Sequence, residues 1–123
     1  MKTILLIEDN NDIRESAVEI LELSGYKVLQ AENGKTGVDL ATEHKPDLIL
    51  CDIMMPELDG YMTTRIIRKM KTPQSRIPII ALTADAMKGD KERCLDAGMS
   101  NYISKPFKLE EIEAVLKEYV LLV

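Results

Sequence analysis

The sequence contains few of the residues that build disulfides or transition-metal sites, with two cysteines and one histidine among 123 residues. Cys51 lies in an apolar run and Cys94 in a helical pattern, and neither has a cysteine or histidine beside it at the spacing of a metal site or redox pair. We therefore expect both to be reduced core thiols. His44 lies at a predicted helix end, where the helix dipole favours a solvated imidazole. A zinc site and a catalytic histidine are not expected.

The sequence also lacks long apolar runs and compositionally biased segments. Its start, MKTILLIEDN, holds an apolar run of only four residues before two acids, which is too short for a signal peptide or a membrane span. No Gly/Ser-rich or Pro-rich linker interrupts the chain. We predict a single cytoplasmic domain over residues 1–123, with no membrane partner and no output domain.

Basic residues are fewer than acidic ones. The chain has 16 lysine and arginine residues and 21 aspartate and glutamate residues, which give a net charge of -5. Nucleic-acid binding depends on cations that meet phosphates, so direct binding to nucleic acid is not expected. Proteins or cations are the expected partners.

Short β-rich runs alternate with stretches of helical spacing. Gly25 and Gly98 stand where a helix is predicted to stop. Two of the runs, DLILC and PIIAL, are continuously apolar, which is typical of parallel strands covered on both faces. The pattern predicts five βα units and a parallel sheet with helices on both sides, without revealing the strand order. The five runs are TILLI, KVLQA, DLILC, IPIIAL and NYIS.

Polar residues follow these runs, where the crevice of an open parallel sheet lies. They are Glu8 and Asp9 after the first run, Asp52 after the third, Thr83 after the fourth and Lys105 after the fifth. Two carboxylates roughly 4 Å apart repel by about 4 kcal/mol at an effective dielectric near 20, so the acids require a cation or protons. Mg²⁺ suits an open rim of oxygen ligands. Glu8 and Asp9 would also suit the start of a helix.

A carboxylate beside Mg²⁺ can act as a nucleophile toward a phosphoryl group. That carboxylate would then form an aspartyl phosphate, Lys105 would pair with a phosphoryl oxygen, and the Thr83 hydroxyl would hydrogen-bond to another. The segment from Pro56 to Gly60 is predicted to turn the chain back toward a helix and to leave Asp52 at the mouth.

The motifs IEDN, CDIMMPELDG, ALTADA and YISKPF occur in this order along the chain. Together they resemble the receiver domain of two-component response regulators, the family that includes the bacterial chemotaxis response regulator. The resemblance implies an α/β flavodoxin-like (βα)5 sandwich with strand order 2-1-3-4-5. It makes Asp52 the phosphoacceptor, and it assigns the metal to Asp9, Asp52, the Met54 backbone carbonyl and, through water, Glu8. Phosphoryl contacts come from Thr83, Lys105 and the backbone of Ala84.

The resemblance also implies a switch. Thr83 would move toward the phosphoryl group and Tyr102 would turn inward, which changes the surface of the fourth helix, fifth strand and fifth helix. Met54 and Asp85 would tune the lifetime of the phosphoryl group. Pro106 would follow a cis peptide bond.

The predicted function is therefore that of a phosphoacceptor in a two-component phosphorelay, not of an enzyme acting on other substrates. The domain would catalyse its own phosphorylation and dephosphorylation, with Mg²⁺ or Mn²⁺ as cofactor. A histidine kinase or histidine phosphotransfer protein would donate the phosphoryl group, and a protein effector would read the switched surface.

Three other functions share parts of this pattern. A flavodoxin-type electron carrier needs a hydroxyl- and glycine-rich first loop, where this chain has EDNND. An aspartate-nucleophile phosphatase of the related type has a second aspartate at the position of Met54. A phosphorylation-silent receiver that only binds a partner is the remaining alternative.

The origin of the chain stays open. It could be a free-standing regulator, an excised hybrid-kinase receiver, or a chimeric or designed sequence. The role of the apolar tail, Leu121 to Val123, is also open.

Overall fold

The computed structural model describes residues 2–55, 57–83, 90–104 and 108–119, except for the side chains of residues 73, 74, 90, 91 and 109. Several sequence predictions lie outside these described residues. They concern Pro56 at the start of the predicted turn, Ala84, Asp85, Lys105, Pro106 and the apolar tail from Leu121 to Val123.

Strands and helices alternate along the chain, as predicted. The strands are β1 (Thr3–Ile7), β2 (Lys27–Ala31), β3 (Leu48–Asp52), β4 (Ile79–Thr83) and β5 (Asn101–Ser104). The helices are α1 (Asn11–Leu23), α2 (Gly34–His44), α3 (Gly60–Arg68), α4 (Asp90–Ala97) and α5 (Leu109–Tyr119), with a short 3₁₀ turn at Pro73–Arg76. Within the described ranges, none of the helices combines the length and apolar character that crossing a bilayer requires.

The five strands form one parallel sheet in the order β2-β1-β3-β4-β5. This is the order that the resemblance implied. Strands β3 and β4 are buried along their whole length, which explains their continuous apolar sequences. One detail of the prediction was wrong: Asp52 and Thr83 are the last residues of their strands, not the first residues beyond them. Asp52 still pairs with Leu82, so the ladder continues through it.

The apolar core has two parts, one on each face of the sheet. Helices α2, α3 and α4 cover one face and contribute Ala41, Ile67 and Cys94 to its core. Helices α1 and α5 cover the other face, where Leu21 and Leu116 are fully buried. Burying a leucine or isoleucine side chain stabilises a fold by about 1.5–3 kcal/mol, so these clusters fix the sheet between two helical layers. Both cysteines are buried and free, as predicted.

The amino end of the sheet is held by Arg68, the last residue of α3. Its Nε donates to the Gly98 carbonyl at 2.7 Å, and its Nη1 donates to the carbonyls of Ser75 and Ile77 at 2.9 and 2.6 Å. These bonds connect α3 to the segments that lead into β4 and β5. Burial lowers the pKa of the Arg68 guanidinium.

Candidate functional site

Three carboxylates converge at the carboxyl end of the sheet. Glu8 and Asp9 follow β1, and Asp52 ends the neighbouring strand β3. Each offers an oxygen atom, and these three oxygens all lie within 4.8 Å of one another. Glu8 and Asp52 are buried, whereas Asp9 is exposed. The parallel topology thus brings together the acids that the sequence separates by more than forty positions.

The loop that carries Glu8 is fixed by hydrogen bonds on both sides. The Glu8 N–H donates to the Ala31 carbonyl of β2 at 3.0 Å, which extends the sheet by one residue. The Asn10 N–H donates to Glu8 Oε2 at 3.2 Å. Asn10 also caps α1, because its Oδ1 accepts the N–H of Ile13 at 3.0 Å. The helix start, the cap and the acidic residue therefore form one connected turn.

Arg14 is a site residue that the sequence predictions missed. Its side chain is buried, with only 10% exposed, on the helix face that also buries Ala17. Its Nη1 donates to the Glu8 carbonyl at 2.9 Å and its Nη2 to Asn11 Oδ1 at 2.6 Å. Nη2 also lies 3.8 Å from Oε1 of the exposed Glu32. The one signal in the sequence is an arginine at a core-facing helix position, three residues before Ala17.

The chain turns sharply after Asp52. The Met54 N–H donates to Asp52 Oδ1 at 3.3 Å, and the Gly60 N–H donates to the Ile53 carbonyl at 3.0 Å. Asp59 caps α3 by accepting the N–H of Met62, so the helix begins directly behind the acidic site. Met54, two residues after Asp52, is 77% exposed.

Thr83 ends β4, the strand beside Asp52, and its side chain is buried. The hydroxyl is therefore one strand away from the carboxylate cluster. Tyr102 lies in the next strand, β5, where it pairs with Ala81 of β4. It is half-buried against the core on the side of α2, α3 and α4. The two residues predicted to act as the switch thus lie on adjacent strands, beyond Asp52 in the sheet order.

The carboxylates give the site a negative electrostatic environment. Burial raises the pKa of the Cys51 thiol, and the negative charges of Asp52, Asp59 and Glu8 raise it further. Such a field resists any additional negative group and favours a bound cation. The three donors at the site are carboxylate oxygens, the ligand class that Mg²⁺ prefers, so the residues present fit that ion.

Comparison with known proteins agrees with this geometry. The family model described as the response regulator receiver domain matches residues 4–117. The polar-differentiation response regulator DivK of Brucella anthropi is 40% identical over 119 residues, which cover 97% of this chain and 96% of DivK. The chain belongs to the response regulator receiver family, and it is a signalling domain of the two-component kind.

Solved structures confirm the predicted fold. The receiver domain of the sensor histidine kinase PA1611 from Pseudomonas aeruginosa is 42% identical, with a TM-score of 0.89 and 96% of each chain covered. That structure holds a magnesium ion in its active-site cleft. The chemotaxis protein CheY4 of Vibrio cholerae is 26% identical, with a TM-score of 0.91 and 98% and 99% of the two chains covered.

Proposed function

We propose that this receiver domain accepts a phosphoryl group on Asp52. The observation that carries the proposal is the approach of the Glu8, Asp9 and Asp52 oxygens to within 4.8 Å of one another at the carboxyl end of the sheet. An Asp52 carboxylate oxygen attacks the phosphorus of a phosphohistidine. A new P–O bond forms while the P–N bond breaks, and the electron pair of that bond returns to the imidazole nitrogen of the donor.

Asp9 and Asp52 hold the metal directly in this proposal, together with the Met54 backbone carbonyl, and Glu8 acts through water. Mg²⁺, when bound, supplies positive charge that offsets the carboxylates and the incoming phosphoryl oxygens. Mn²⁺ would serve as a substitute because it also accepts oxygen ligands. The magnesium in the Pseudomonas relative supports this assignment.

The same proposal gives the remaining predicted residues their roles. Thr83 donates its hydroxyl to the phosphoryl group, and Lys105 and the Ala84 backbone contact its other oxygens. Met54 and Asp85 flank the path of an attacking water and set the lifetime, so that the domain dephosphorylates itself. Movement of Thr83 and Tyr102 then changes the surface formed by α4, β5 and α5.

Receiver domains work between histidine kinases and downstream effectors. We propose that this domain is cytoplasmic, that a histidine kinase or a histidine phosphotransfer protein is its phosphoryl donor, and that a protein effector reads the switched surface. The match to the receiver of a sensor histidine kinase and to the regulator DivK supports this class of partner.

The test is intact mass after incubation with acetyl phosphate, with and without Mg²⁺. We expect one phosphoryl adduct that requires Mg²⁺, and none in Asp52→Asn. Asp39→Asn, an exposed aspartate on α2 changed in the same way, should be phosphorylated like the parent. No adduct under conditions that phosphorylate a control receiver would favour the silent, binding-only alternative.

A further inference from the structure

Arg14 joins the carboxyl end of β1 to the first turns of α1. Its Nη1 donates to the carbonyl of Glu8, and its backbone N–H donates to the carbonyl of Asn10 at 2.9 Å. Its Nη2 donates to Asn11 Oδ1. One side chain therefore closes the loop that carries the first two acids of the site. Because this side chain is buried, its hydrogen bonds are shielded from competing water.

These hydrogen bonds also constrain the backbone of Asp9. It lies between Glu8, whose carbonyl is held by Arg14, and Asn10, whose N–H is bonded to the Glu8 carboxylate. Asp9 itself is exposed, so packing around its own side chain does not fix it. Its carboxylate is positioned mainly through the backbone on either side. The bonds that immobilise that backbone therefore determine where the Asp9 oxygen stands relative to Asp52.

We propose that Arg14 is a positioning residue that pre-organises Glu8 and Asp9 for the divalent cation. This inference rests on the proposed function, because it assumes that the acidic site takes up Mg²⁺. Groups that orient metal ligands through hydrogen bonds typically raise metal affinity by about tenfold or more. Arg14 does so by binding the main chain of the loop, and it has no direct contact with the metal in this role.

Loss of the Arg14 charge and loss of the Arg14 hydrogen bonds would change Mg²⁺ affinity in opposite directions. A nearby cation repels Mg²⁺, so removing the charge alone would tighten metal binding. Losing the bonds that hold the loop would weaken it. Arg14→Lys keeps the positive charge but cannot reproduce the planar fork that reaches the Glu8 carbonyl and Asn11 together. If positioning dominates, Arg14→Lys and Arg14→Met both weaken Mg²⁺ binding.

Arg68 provides a matched control at the opposite end of the sheet. It is also an arginine whose side chain donates to backbone carbonyls, here those of Gly98, Ser75 and Ile77. Arg68→Lys should lower the melting temperature as a loss of structural hydrogen bonds does. It should leave Mg²⁺ affinity unchanged, because none of its bonds reaches the acidic loop.

Glu32→Gln tests the ionic contact separately. The Glu32 side chain is 77% exposed and its Oε1 lies 3.8 Å from Nη2, so the pair contributes little. We expect this variant to bind Mg²⁺ like the parent.

The experiment measures the Kd for MgCl₂ by amide chemical-shift titration of the full metal-free chain, with the melting temperature recorded for every variant. We expect Kd to rise about tenfold in both Arg14 variants and to stay at the parent value in Arg68→Lys and Glu32→Gln. With acetyl phosphate, the Arg14 variants should need more Mg²⁺ for half-maximal phosphorylation and should approach the parent rate at saturation.

A parent-like Kd in Arg14→Lys, or tighter binding in Arg14→Met, would overturn the inference. So would an equal loss of affinity in Arg68→Lys, because it would trace the effect to general destabilisation. If the parent binds Mg²⁺ but takes up no phosphoryl group, the proposed function fails while the Kd comparison still decides the role of Arg14.

Discussion

Gly60 lies against the backbone of Asp52, with no space between them for a side chain. A Cβ at position 60 would overlap the Asp52 carbonyl oxygen and would lie 2.8 Å from the Cα of Ile53. Because the obstacle is backbone, it cannot rotate away as the end of a flexible side chain would. Helix α3 therefore begins directly behind the end of β3, and only glycine at this position permits that approach.

We expect Gly60→Ala to destabilise the fold by about 1–3 kcal/mol, the usual cost of forcing extra atoms into a packed site. The added methyl would also displace Asp52, so phosphorylation by acetyl phosphate should slow. Urea unfolding and intact mass measure the two effects.

Gly25→Ala separates backbone strain from this close contact. Gly25 has a φ of +92° but nothing within 4 Å of an added Cβ. Its substitution should cost about 1–2 kcal/mol through backbone strain alone and should leave phosphorylation unchanged. Unimpaired phosphorylation in Gly60→Ala would show that the position of Asp52 does not depend on Gly60.

The sequence was sufficient to predict the alternation of strands and helices, which follows from local periodicity, and the placement of Glu8, Asp9 and Asp52 at one edge of the sheet, which follows from parallel topology. Their approach to within 4.8 Å also requires β1 and β3 to be neighbours, and that order was implied only by the family resemblance. Strand ends were harder, since a polar residue that closes a buried strand resembles the first residue of a loop. The pairing of Asp52 with Leu82 of β4 shows that Asp52 belongs to strand β3 and not to the loop after it.

Two further features depend on contacts that sequence spacing does not reveal. The predicted turn between Pro56 and Gly60 has its left-handed residue at Glu57, with a φ of 65°, while Gly60 is the first residue of α3. Arg14 could not be assigned because its partner is a backbone carbonyl six positions earlier. Such a contact exists only after the strand and helix have packed together.

Asp9→Asn should stabilise the metal-free domain. Its oxygen lies within 4.8 Å of the Glu8 and Asp52 oxygens, and each such repulsion costs between about 1 and 4 kcal/mol depending on solvent screening. Because Asp9 is exposed, we expect the lower end of that range, seen as a higher melting temperature in EDTA.

The same substitution should remove most of the stabilisation that added Mg²⁺ gives the parent, because ligand-linked stability depends on affinity. Asp39→Asn removes the same charge from an exposed position on α2 that is not part of the cluster, and it should change neither quantity. A parent-like response to Mg²⁺ in Asp9→Asn would exclude Asp9 as a ligand.

Thr83→Val should separate phosphorylation from switching. Valine keeps the size of threonine at this buried strand end but has no hydroxyl to donate to a phosphoryl group. We expect Asp52 still to be modified, while most of the phosphorylation-dependent shift of the Tyr102 amide is lost. The amide of Val28 in β2, at the edge of the sheet opposite β5, serves as an internal reference. An unchanged Tyr102 shift in the variant would show that Thr83 does not couple the two sites.

Ionisation of the Cys51 thiol in the unfolded chain should lower the stability of the domain at alkaline pH. Burial and the adjacent carboxylates raise the pKa of its thiol above the ordinary value of 9.0, which the unfolded chain retains. Below pH 9.0 both states keep the proton, and the contribution to stability is fully present. As pH rises further, the unfolded thiol ionises while the folded one stays protonated, so unfolding is favoured by about 1.4 kcal/mol per pH unit.

Cys51→Ala removes this group, although the lost sulfur atom also lowers stability at every pH. The informative quantity is therefore the slope of the free energy of unfolding against pH, which lysine and tyrosine residues affect equally in both proteins. We expect the parent to lose stability above pH 9.0 more steeply than Cys51→Ala, by about 1.4 kcal/mol per pH unit. Parallel slopes in the two proteins would mean that the Cys51 thiol ionises in the folded state as readily as in the unfolded one, and the negative field inferred for the site would then be wrong.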